Sequence, residues 1–257
     1  MNLKTFYKIY YRHRYKKASL LLKPYLLITA LLKYLYNLFY FPKKINLDIF
    51  TKKNNFLFKK DLNFLFEYFN SDKGEYFINQ YSQPYKKKSI RKKAHAYTKF
   101  YESYFKNIKN NKLNIIEIGS YYGNASAAFF FYFKNAQIYS ADINPDMYLY
   151  SSKRLKNFFT DTSSRSSIEK NIINKKIKFD LIIEDASHML KDQIISLFTL
   201  FRTLNSGGLF IVEEIDFPEK REDMRINQDF PDLKTILKKI MNKENFNSKY
   251  ISENEKL

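Results

Sequence analysis

The sequence predicts an α/β domain with a mostly parallel sheet and helices on both faces, preceded by a basic helical extension. From Lys112 onward, short apolar runs of strand-forming residues alternate with helical stretches. Such alternation is typical of a parallel sheet with crossover helices. Four of the five glycines lie at the ends of these runs, whereas most of the positive charge precedes them.

The predicted strands and helices follow one another in regular order. Strands are expected at residues 114–119, 137–143, 157–161, 179–185 and 208–215, the third being the weakest. Helices are expected at residues 124–133, 145–155, 166–174 and 190–204, and the last has apolar residues at helical spacing. We divide the chain into a basic aromatic extension (1–69), a helical cap and linker of the site (70–111) and the sheet domain (112–257).

The composition restricts the chemistry. The chain has 257 residues, of which 45% are hydrophobic and 28% charged, which suits a packed core and excludes a wholly disordered chain. The absence of cysteine excludes disulfides, thiolate metal sites and cysteine nucleophiles. The net charge of +19 indicates nucleic acid or an anionic membrane as a partner. An A/T-rich genome that has placed lysine at tolerant surface positions explains the charge equally well.

The first segment concentrates this charge. Residues 1–60 carry fourteen Lys and Arg residues but one acidic residue, Asp48. The apolar run 25–41 follows Pro24 and contains Lys33; a spanning helix needs about 20 apolar residues and a central lysine costs about 3 kcal/mol. Two interpretations stay open: residues 1–44 contact an anionic membrane peripherally, or the run packs on the folded body. Without a cleavable signal pattern, we expect a cytoplasmic protein, at most peripheral at the inner face of the membrane.

A glycine turn and an acidic strand end indicate a nucleoside ligand. Gly119 and Gly123 close the first strand and open a helix, where backbone can approach a ligand closely. Asp142 ends the next strand, 23 positions after Gly119, and is placed to accept the hydroxyls of a ribose. The full G-x-G-x-x-G fingerprint is absent, which favours an adenosine ligand that lacks a pyrophosphate.

At this point the chain resembles the class I S-adenosylmethionine-dependent methyltransferases, which share a Rossmann-like sheet. The matching blocks, over about residues 112–216, are IIEIGSYYG, SADIN, FFTDTSS, FDLIIEDASH and the NSGG turn before GLFIVEE. Within that superfamily it is most similar to the metal-dependent sugar O-methyltransferases of the macrocin and mycinamicin type. Their upstream pattern is matched by Ser71-Asp72-Lys73-Gly74, by His95-Ala96-Tyr97, and by Tyr101 and Tyr104.

The resemblance implies a role for each matched residue. Glu117, Gly119 and Ser120 would line the methionine end of S-adenosylmethionine, Asp142 with the adjoining Ile143 would hold the ribose, and Asp161 would lie near the adenine. Lys73 and Tyr97 would help to close over the cofactor, unless their role is structural. Asp185, Glu213 and Glu214 would bind a divalent cation, Mg²⁺ above all, and His188 would be the general base beside Asp185. The family usually has Glu-Asp where this chain has Glu213-Glu214.

The residue types fit this chemistry without the family. Asp185 and the Glu213–Glu214 pair end neighbouring strands, and the carboxyl ends of parallel strands face one crevice. Carboxylate oxygens suit a hard cation. Such a cation lowers the pKa of a bound hydroxyl, and an imidazole can then remove the proton. A core or capping role for His188, and solvated loop positions for the glutamates, are the plainer alternatives.

The sequence therefore predicts an enzyme that methylates a sugar hydroxyl of a glycan or glycosylated small molecule. One alternative is a nucleic-acid methyltransferase, which we consider unlikely because the basic residues precede the sheet domain. Another is a membrane-docked binding module with a degenerate methyltransferase fold. Only 41 residues follow Asp216; residues 232–241 can form a helix, but residues 245–257 are too polar for the family's final hairpin. We thus expect the last strands of the sheet to be incomplete or displaced.

Overall fold

The chain folds into an N-terminal helical segment followed by an α/β body. The structure is a computed structural model that describes residues 1–39, 41, 43–78, 91–216, 231–252 and 255. The first part contains α1 (Leu3–Tyr10), α2 (Arg12–Lys17), α3 (Leu22–Asn37), β1 (Ile45–Asn46), α4 (Leu47–Phe50), α5 (Leu62–Tyr68), β2 (Tyr76–Ile78), β3 (Arg91–Lys93) and α6 (Thr98–Phe105). The second part contains β4 (Asn114–Ile118), α7 (Asn124–Tyr132), β5 (Gln137–Asp142), β6 (Tyr150–Ser151), β7 (Leu155–Phe159), α8 (Arg165–Asn171), β8 (Phe179–Glu184), α9 (Leu190–Phe201), β9 (Leu204–Val212) and α10 (Leu233–Met241).

A five-stranded sheet organises the body. Its strand order is β7-β5-β4-β8-β9, and every neighbouring pair is parallel. The chain adds strands outward from β4 on one side and then crosses to β8 on the other. Ligands of open α/β sheets bind outside the carboxyl ends of the strands at this point of reversal. The predicted parallel sheet is confirmed.

The two faces of the sheet are covered by different helices. Side chains of successive strand residues point to opposite faces, and β4 shows this alternation clearly. Ile115 belongs to the core shared with α5 and α7, together with the buried rings of Phe66 and Phe129. Ile116 belongs to the core shared with α8 and α9. Burial on both faces explains why the strands read as continuous apolar runs.

The helix predicted over residues 145–155 is wrong. Pro145–Met147 forms a single 3₁₀ turn, and the chain then extends into β6, which pairs with β1 in parallel. Asp48 stabilises the following bend because its carboxylate accepts hydrogen bonds from the Ser152 hydroxyl at 2.7 Å and the Lys153 amide at 2.9 Å. A partner distant in sequence therefore overrides the local helical pattern.

The sheet ends at β9 within the described residues. After β9, the described residues contain helix α10, which is capped by Asp232. The Asp232 carboxylate accepts the Thr235 amide at 2.8 Å. No strand occurs in the described parts of residues 213–257. Because parts of this region lie outside the described residues, the expectation that the final strands of the sheet are incomplete or displaced stays a prediction.

The N-terminal helices form a small cluster of their own. Phe6, Tyr11 and Ala30 are buried together. The Asn2 amide and the Thr5 hydroxyl donate to the carboxylate of Asp146 in the body, each at 2.8 Å. No helix in the described ranges is long and apolar enough to cross a membrane. The core of the body already includes Leu47, Leu57 and Phe66 of the predicted extension, and the division into three regions stays a prediction.

An ion pair fastens the C-terminal residues to the body. Arg165 donates to both carboxylate oxygens of Glu255, at 2.9 and 2.7 Å, and the Thr199 hydroxyl donates to the same carboxylate at 2.9 Å. Burial raises the pKa of Glu255, but the hydrogen bond from Arg165 outweighs it and lowers the pKa to about 2.

We expect Glu255→Gln to lower the free energy of unfolding at neutral pH by about 2 kcal/mol, the typical worth of a hydrogen bond to a charged group. An unfolded glutamate titrates near pH 4.3, as a rough value. The contribution is therefore complete above this pH and lost as the pH falls toward 2. Urea unfolding of both proteins at neutral and acid pH measures it, and a difference that persists unchanged at acid pH contradicts this assignment.

Candidate functional site

A cavity of about 830 Å³ opens at the carboxyl edge of the sheet. Its volume lies in the range typical of small-molecule and cofactor sites. The predicted site residues on its wall are Lys73, Glu117, Gly119, Ser120, Asp142, Ile143, Asp161, Asp185, His188, Glu213 and Glu214. The structure thus brings together the predicted set on this wall except Tyr97, whose hydroxyl donates to Glu214.

The glycine turn sets the floor of the cavity. Gly119 has a φ of +89°, and a Cβ there would collide with the backbone carbonyl of Asp185. Gly123 has a φ of +80° at the start of α7 and leaves no room for a side chain beside the ring of Tyr148. Gly119 is required because the tips of β4 and β8 approach each other closely, and Gly123 because the ring of Tyr148 occupies the space of a side chain.

Asp142 lies at the tip of β5, beside the glycine turn. Its two carboxylate oxygens accept the Tyr121 amide at 2.8 Å and the Asn144 amide at 2.7 Å. Burial raises the pKa of Asp142, although both amides lower it. Each carboxylate oxygen has a second lone pair, so the group can also accept a ligand hydroxyl.

Three other predicted residues on the cavity wall, Ser120, Ile143 and Asp161, differ in exposure and in hydrogen bonding. Ser120 is buried, and its hydroxyl has no hydrogen-bond partner among the described residues. Ile143 is half-exposed on the wall. One oxygen of Asp161 accepts both the amide and the hydroxyl of Ser163, at 3.0 and 2.6 Å. A buried hydroxyl without a partner is a group that a bound ligand can satisfy.

Lys73 lies at the centre of the site. Its side chain is 2% exposed, and its Nζ lies 2.5 Å from Asp185 Oδ2, 2.6 Å from Glu213 Oε2 and 3.8 Å from Glu117 Oε1. Burial alone lowers the pKa of Lys73, but the charges of Asp185 and Glu213 outweigh it and hold that pKa well above its ordinary value. The ammonium therefore stays charged and joins the tips of three strands.

The acidic groups around Lys73 exceed its charge. Burial raises the pKa of Glu117 to about 7 and that of Glu184 to about 8. Burial, together with the charge of Asp185, also raises the pKa of Glu213 well above its usual range. Glu213 further accepts a hydrogen bond from the Tyr101 hydroxyl. Carboxylates crowded in this way favour any additional cation that can reach them.

Two side chains of the upstream His95-Ala96-Tyr97 motif contact the carboxylate of Glu214. The Tyr97 hydroxyl donates to Glu214 Oε1 at 2.5 Å, and His95 Nδ1 lies 3.0 Å from the same oxygen. The two rings stack with centroids 5.3 Å apart. Burial and this hydrogen bond raise the pKa of Tyr97, which keeps the hydroxyl protonated as a donor.

His188 borders the cavity beside Asp185. Its Nε2 lies 3.7 Å from Asp185 Oδ1, and its backbone has a φ of +56°. A positive φ is uncommon for a residue with a side chain, and such positions cluster at functional sites. The turn that follows β8 thus directs the imidazole to the same space as the carboxylates.

The donor set suits a divalent cation, but the described side chains do not form a ready-made site for one. Oxygen ligands from carboxylates are those that Mg²⁺ prefers, and the carboxyl groups of Glu117, Asp185 and Glu213 outnumber the single ammonium among them. Within the described residues, however, no three acidic or imidazole groups converge as metal ligands do. Lys73 stands between Asp185 and Glu213, and Glu214 is turned toward Tyr97.

Sequence reasoning missed several groups at this site. Arg12 from the N-terminal segment lines the cavity, and no local pattern indicates that. Glu184 is fully buried and lies close enough to Asp185 for the charge of that residue to raise its pKa, but its place inside an apolar strand gives no sign of this. The sequence pattern assigns no role to His95. The His95-Ala96-Tyr97 motif itself could have indicated that His95 belongs to the site, because it places His95 two residues before Tyr97, and both contact Glu214.

Comparison with known proteins agrees with this geometry. No family model matches the chain. Two curated methyltransferases match over 128 residues, 47% of this chain. One is 8-demethyl-8-alpha-L-rhamnosyl tetracenomycin-C 2'-O-methyltransferase of Streptomyces olivaceus, at 27% identity, and the other is mycinamicin VI 2''-O-methyltransferase of Micromonospora griseorubida, at 24%. The match covers 33% and 32% of their lengths, so the chain corresponds to about a third of these relatives.

Solved structures decide the fold. MycE methyltransferase from the mycinamycin biosynthetic pathway, in complex with Mg and SAH, superposes with a TM-score of 0.56 at 21% identity, over 71% of this chain and 48% of that one. A second MycE structure, which also contains mycinamycin VI, gives the same values. The chain therefore has the fold of these MycE structures. The resemblance to sugar O-methyltransferases, inferred from the motifs at the strand ends, is confirmed by the two curated relatives.

The burial of the Lys73 ammonium among carboxyl groups leads to a prediction. We expect Lys73→Met to destabilise the protein by about 3–5 kcal/mol in EDTA, because it leaves buried carboxylates without their ammonium. Mg²⁺ should then raise the melting temperature of the variant more than that of the wild type, because the cation no longer competes with Lys73. Thermal unfolding with Mg²⁺ or EDTA measures both effects.

The exposed Lys178, which donates to the Arg202 carbonyl, provides the control. Lys178→Met should respond to Mg²⁺ as the wild type does. An Mg²⁺ shift no larger in Lys73→Met than in the wild type would show that no divalent cation binds between Asp185 and Glu213.

Proposed function

We propose that this protein transfers the methyl group of S-adenosylmethionine to a sugar hydroxyl of a glycan or glycosylated small molecule, with help from a divalent metal. One observation carries the proposal: a single cavity holds both the Gly119–Asp142 cradle and the Asp185–His188 pair. The names of the curated relatives and the Mg and SAH in the MycE structures support it.

The cradle positions the methyl donor. Asp142 would accept the ribose hydroxyls, Ile143 and Asp161 would flank the adenosine, and Glu117, Gly119 and Ser120 would line the methionine end. The buried Ser120 hydroxyl gains a partner in this arrangement. S-adenosylmethionine, when bound, supplies an electrophilic methyl group on a positively charged sulfur.

His188 would act as the base. Its imidazole takes the proton of the acceptor hydroxyl while the oxygen forms a bond to the methyl carbon. The carbon–sulfur bond breaks, its electron pair stays on sulfur, and a methyl ether and a neutral thioether result. Asp185, whose Oδ1 lies 3.7 Å from His188 Nε2, stabilises the imidazolium that forms. Holding the oxygen and the methyl carbon in line, about 3–3.5 Å apart, supplies much of the rate.

Asp185, Glu213 and Glu214 would hold the metal, which would lower the pKa of the acceptor hydroxyl. Lys73 and Tyr97 already bind these carboxylates. We therefore infer that both residues position the acidic groups and close over the cofactor.

The placement of Lys73 favours a second candidate, a membrane-docked binding module with a degenerate methyltransferase fold. In that case the ammonium replaces the metal permanently, and the cavity binds the cofactor without transferring its methyl group. Peripheral contact of residues 1–44 with an anionic membrane is our proposal in either case. Nucleic-acid methylation is disfavoured because eight acidic side chains and only two basic ones, Arg12 and Lys73, line the cavity with His95 and His188.

We expect Asp142→Ala to weaken S-adenosylmethionine binding at least about tenfold, because a hydrogen bond to a charged group is worth about 1.5–3 kcal/mol. Isothermal titration of the folded protein measures the dissociation constant. Asp180→Ala is the matched control, because Asp180 also accepts a backbone amide but lies at the opposite edge of the sheet. Folded wild-type protein that binds no S-adenosylmethionine excludes the enzyme.

His188→Asn separates catalysis from binding, because asparagine tolerates the positive φ of this position. We expect methyl transfer to hydroxylated glycans to fall about 10²–10⁴-fold, the usual contribution of a general base, while the S-adenosylmethionine affinity stays unchanged. Release of S-adenosylhomocysteine, with Mg²⁺ or EDTA, measures the rate. Cofactor binding by the wild type without metal-dependent transfer to any glycan supports the binding module instead.

A further inference from the structure

Helix α3 exposes the apolar side chains that a soluble helix normally hides. Of its 16 residues, two are buried, Ala30 and Asn37. The exposed apolar side chains of α3 and of the two residues on either side of it form a surface that we call the leucine ridge. It comprises Leu20, Leu21, Leu22, Tyr25, Leu27, Ile28, Leu31, Leu32, Leu35, Tyr36, Leu38 and Phe39. Leu21 and Phe39, at its two ends, are 92% and 90% exposed. An exposed apolar patch of this kind marks a surface that binds something.

The ridge is wide. At 3.6 residues per turn, its members cover more than half of the circumference of α3, which is broader than the stripe a helix inserts into a protein groove. The helix is about 24 Å long at 1.5 Å per residue, less than the roughly 30 Å of a hydrocarbon core. Its shape therefore suits a helix that lies along a bilayer surface.

The charge around the ridge fits an anionic surface. The first 47 residues contain ten Lys and Arg residues and no acidic residue. Arg14, Lys16 and Lys17 of the neighbouring α2 are exposed. Each basic residue near an anionic leaflet strengthens binding by about 1 kcal/mol, or about fivefold. Nucleic acid would explain these charges but not the exposed leucines.

The ridge lies in the segment that borders the cavity. Arg12 in α2 forms part of the cavity wall. The Asn2 amide and the Thr5 hydroxyl fasten α1 to Asp146, four residues after Asp142. Lys23 of α3 lies 5.4 Å from the ring centroid of Tyr15 in α2, so the helix that carries the ridge packs against the helix that contributes to the cavity wall.

We propose that residues 1–44 dock the protein on an anionic bilayer through the leucine ridge, and that the acceptor is a glycan carried by a membrane lipid. The acceptor class rests on the proposed methyl transfer, whereas docking does not. The sugar would enter the acidic cavity, and Arg12, which is exposed and lines that cavity, would bind the phosphate of the lipid headgroup.

Vesicle flotation tests docking with the full chain. We expect the wild type to float with phosphatidylcholine vesicles that contain phosphatidylglycerol, and to bind pure phosphatidylcholine at least tenfold more weakly. Leu21→Glu combined with Leu32→Glu should reduce binding at least tenfold. Met241→Glu is the matched control, because Met241 is 81% exposed but belongs to α10. Equal flotation of the wild type and the double variant overturns docking, as does capture by RNA but not by vesicles.

Single cysteines test the orientation, because the chain has none of its own. A fluorophore at Leu32→Cys or Arg12→Cys should be quenched by spin-labelled lipid, whereas one at Lys112→Cys, before β4, should not. Quenching at Lys112→Cys but not at Arg12→Cys would place the cavity away from the membrane and overturn the proposal.

The acceptor class is tested with membranes and radiolabelled S-adenosylmethionine. Label that enters the organic-solvent extract, and does so less with Leu21→Glu and Leu32→Glu, supports a lipid-borne glycan. Label that enters water-soluble glycans at equal rates with both proteins overturns the lipid-borne acceptor and leaves methyl transfer intact. Vesicle binding without label in either fraction overturns the methyltransferase and leaves docking intact.

Discussion

The buried ammonium of Lys73 holds together the carboxylates on which the whole site depends. It lies within 2.6 Å of Asp185 and Glu213 and 3.8 Å from Glu117, which come from the tips of three strands. Loss of this cation would leave two buried carboxyl groups, Glu117 and Glu213, without their nearest positive charge. Both groups, together with Asp185 and Lys73 itself, line the cavity.

The sheet explains why these groups meet. β4, β8 and β9 are parallel neighbours, so their carboxyl ends share one edge, and Gly119 lets the tips of β4 and β8 approach closely. The proposed cofactor cradle on β4 and β5 and the Asp185–His188 pair after β8 therefore line one cavity. The N-terminal segment completes the wall with Arg12, which links the chemistry of the site to the exposed apolar surface of α3.

The sequence predicts the sheet and the membership of the site because both follow from local patterns. Continuous apolar runs indicate the strands, and a residue such as Asp185 that follows a parallel strand must lie at the shared edge. Other features depend on contacts far apart in the chain. Tyr150–Ser151 pairs with Ile45–Asn46, which overrides a helix, and Lys73 meets Asp185 across 112 positions. The apolar spacing of α3 also could not distinguish a packed helix from an exposed one.

The Lys73 ammonium lies between Asp185 and Glu213, where the proposed metal would bind. Either the lysine moves away when the metal binds to an active enzyme, or the lysine has replaced the metal permanently. Diffraction from crystals grown with S-adenosylhomocysteine and Mn²⁺ distinguishes them, because Mn²⁺ scatters anomalously. The account predicts an anomalous peak beside Asp185 and Glu213, with the Lys73 ammonium moved toward Glu117. Bound S-adenosylhomocysteine without such a peak, and with Lys73 still between the two carboxylates, would contradict it.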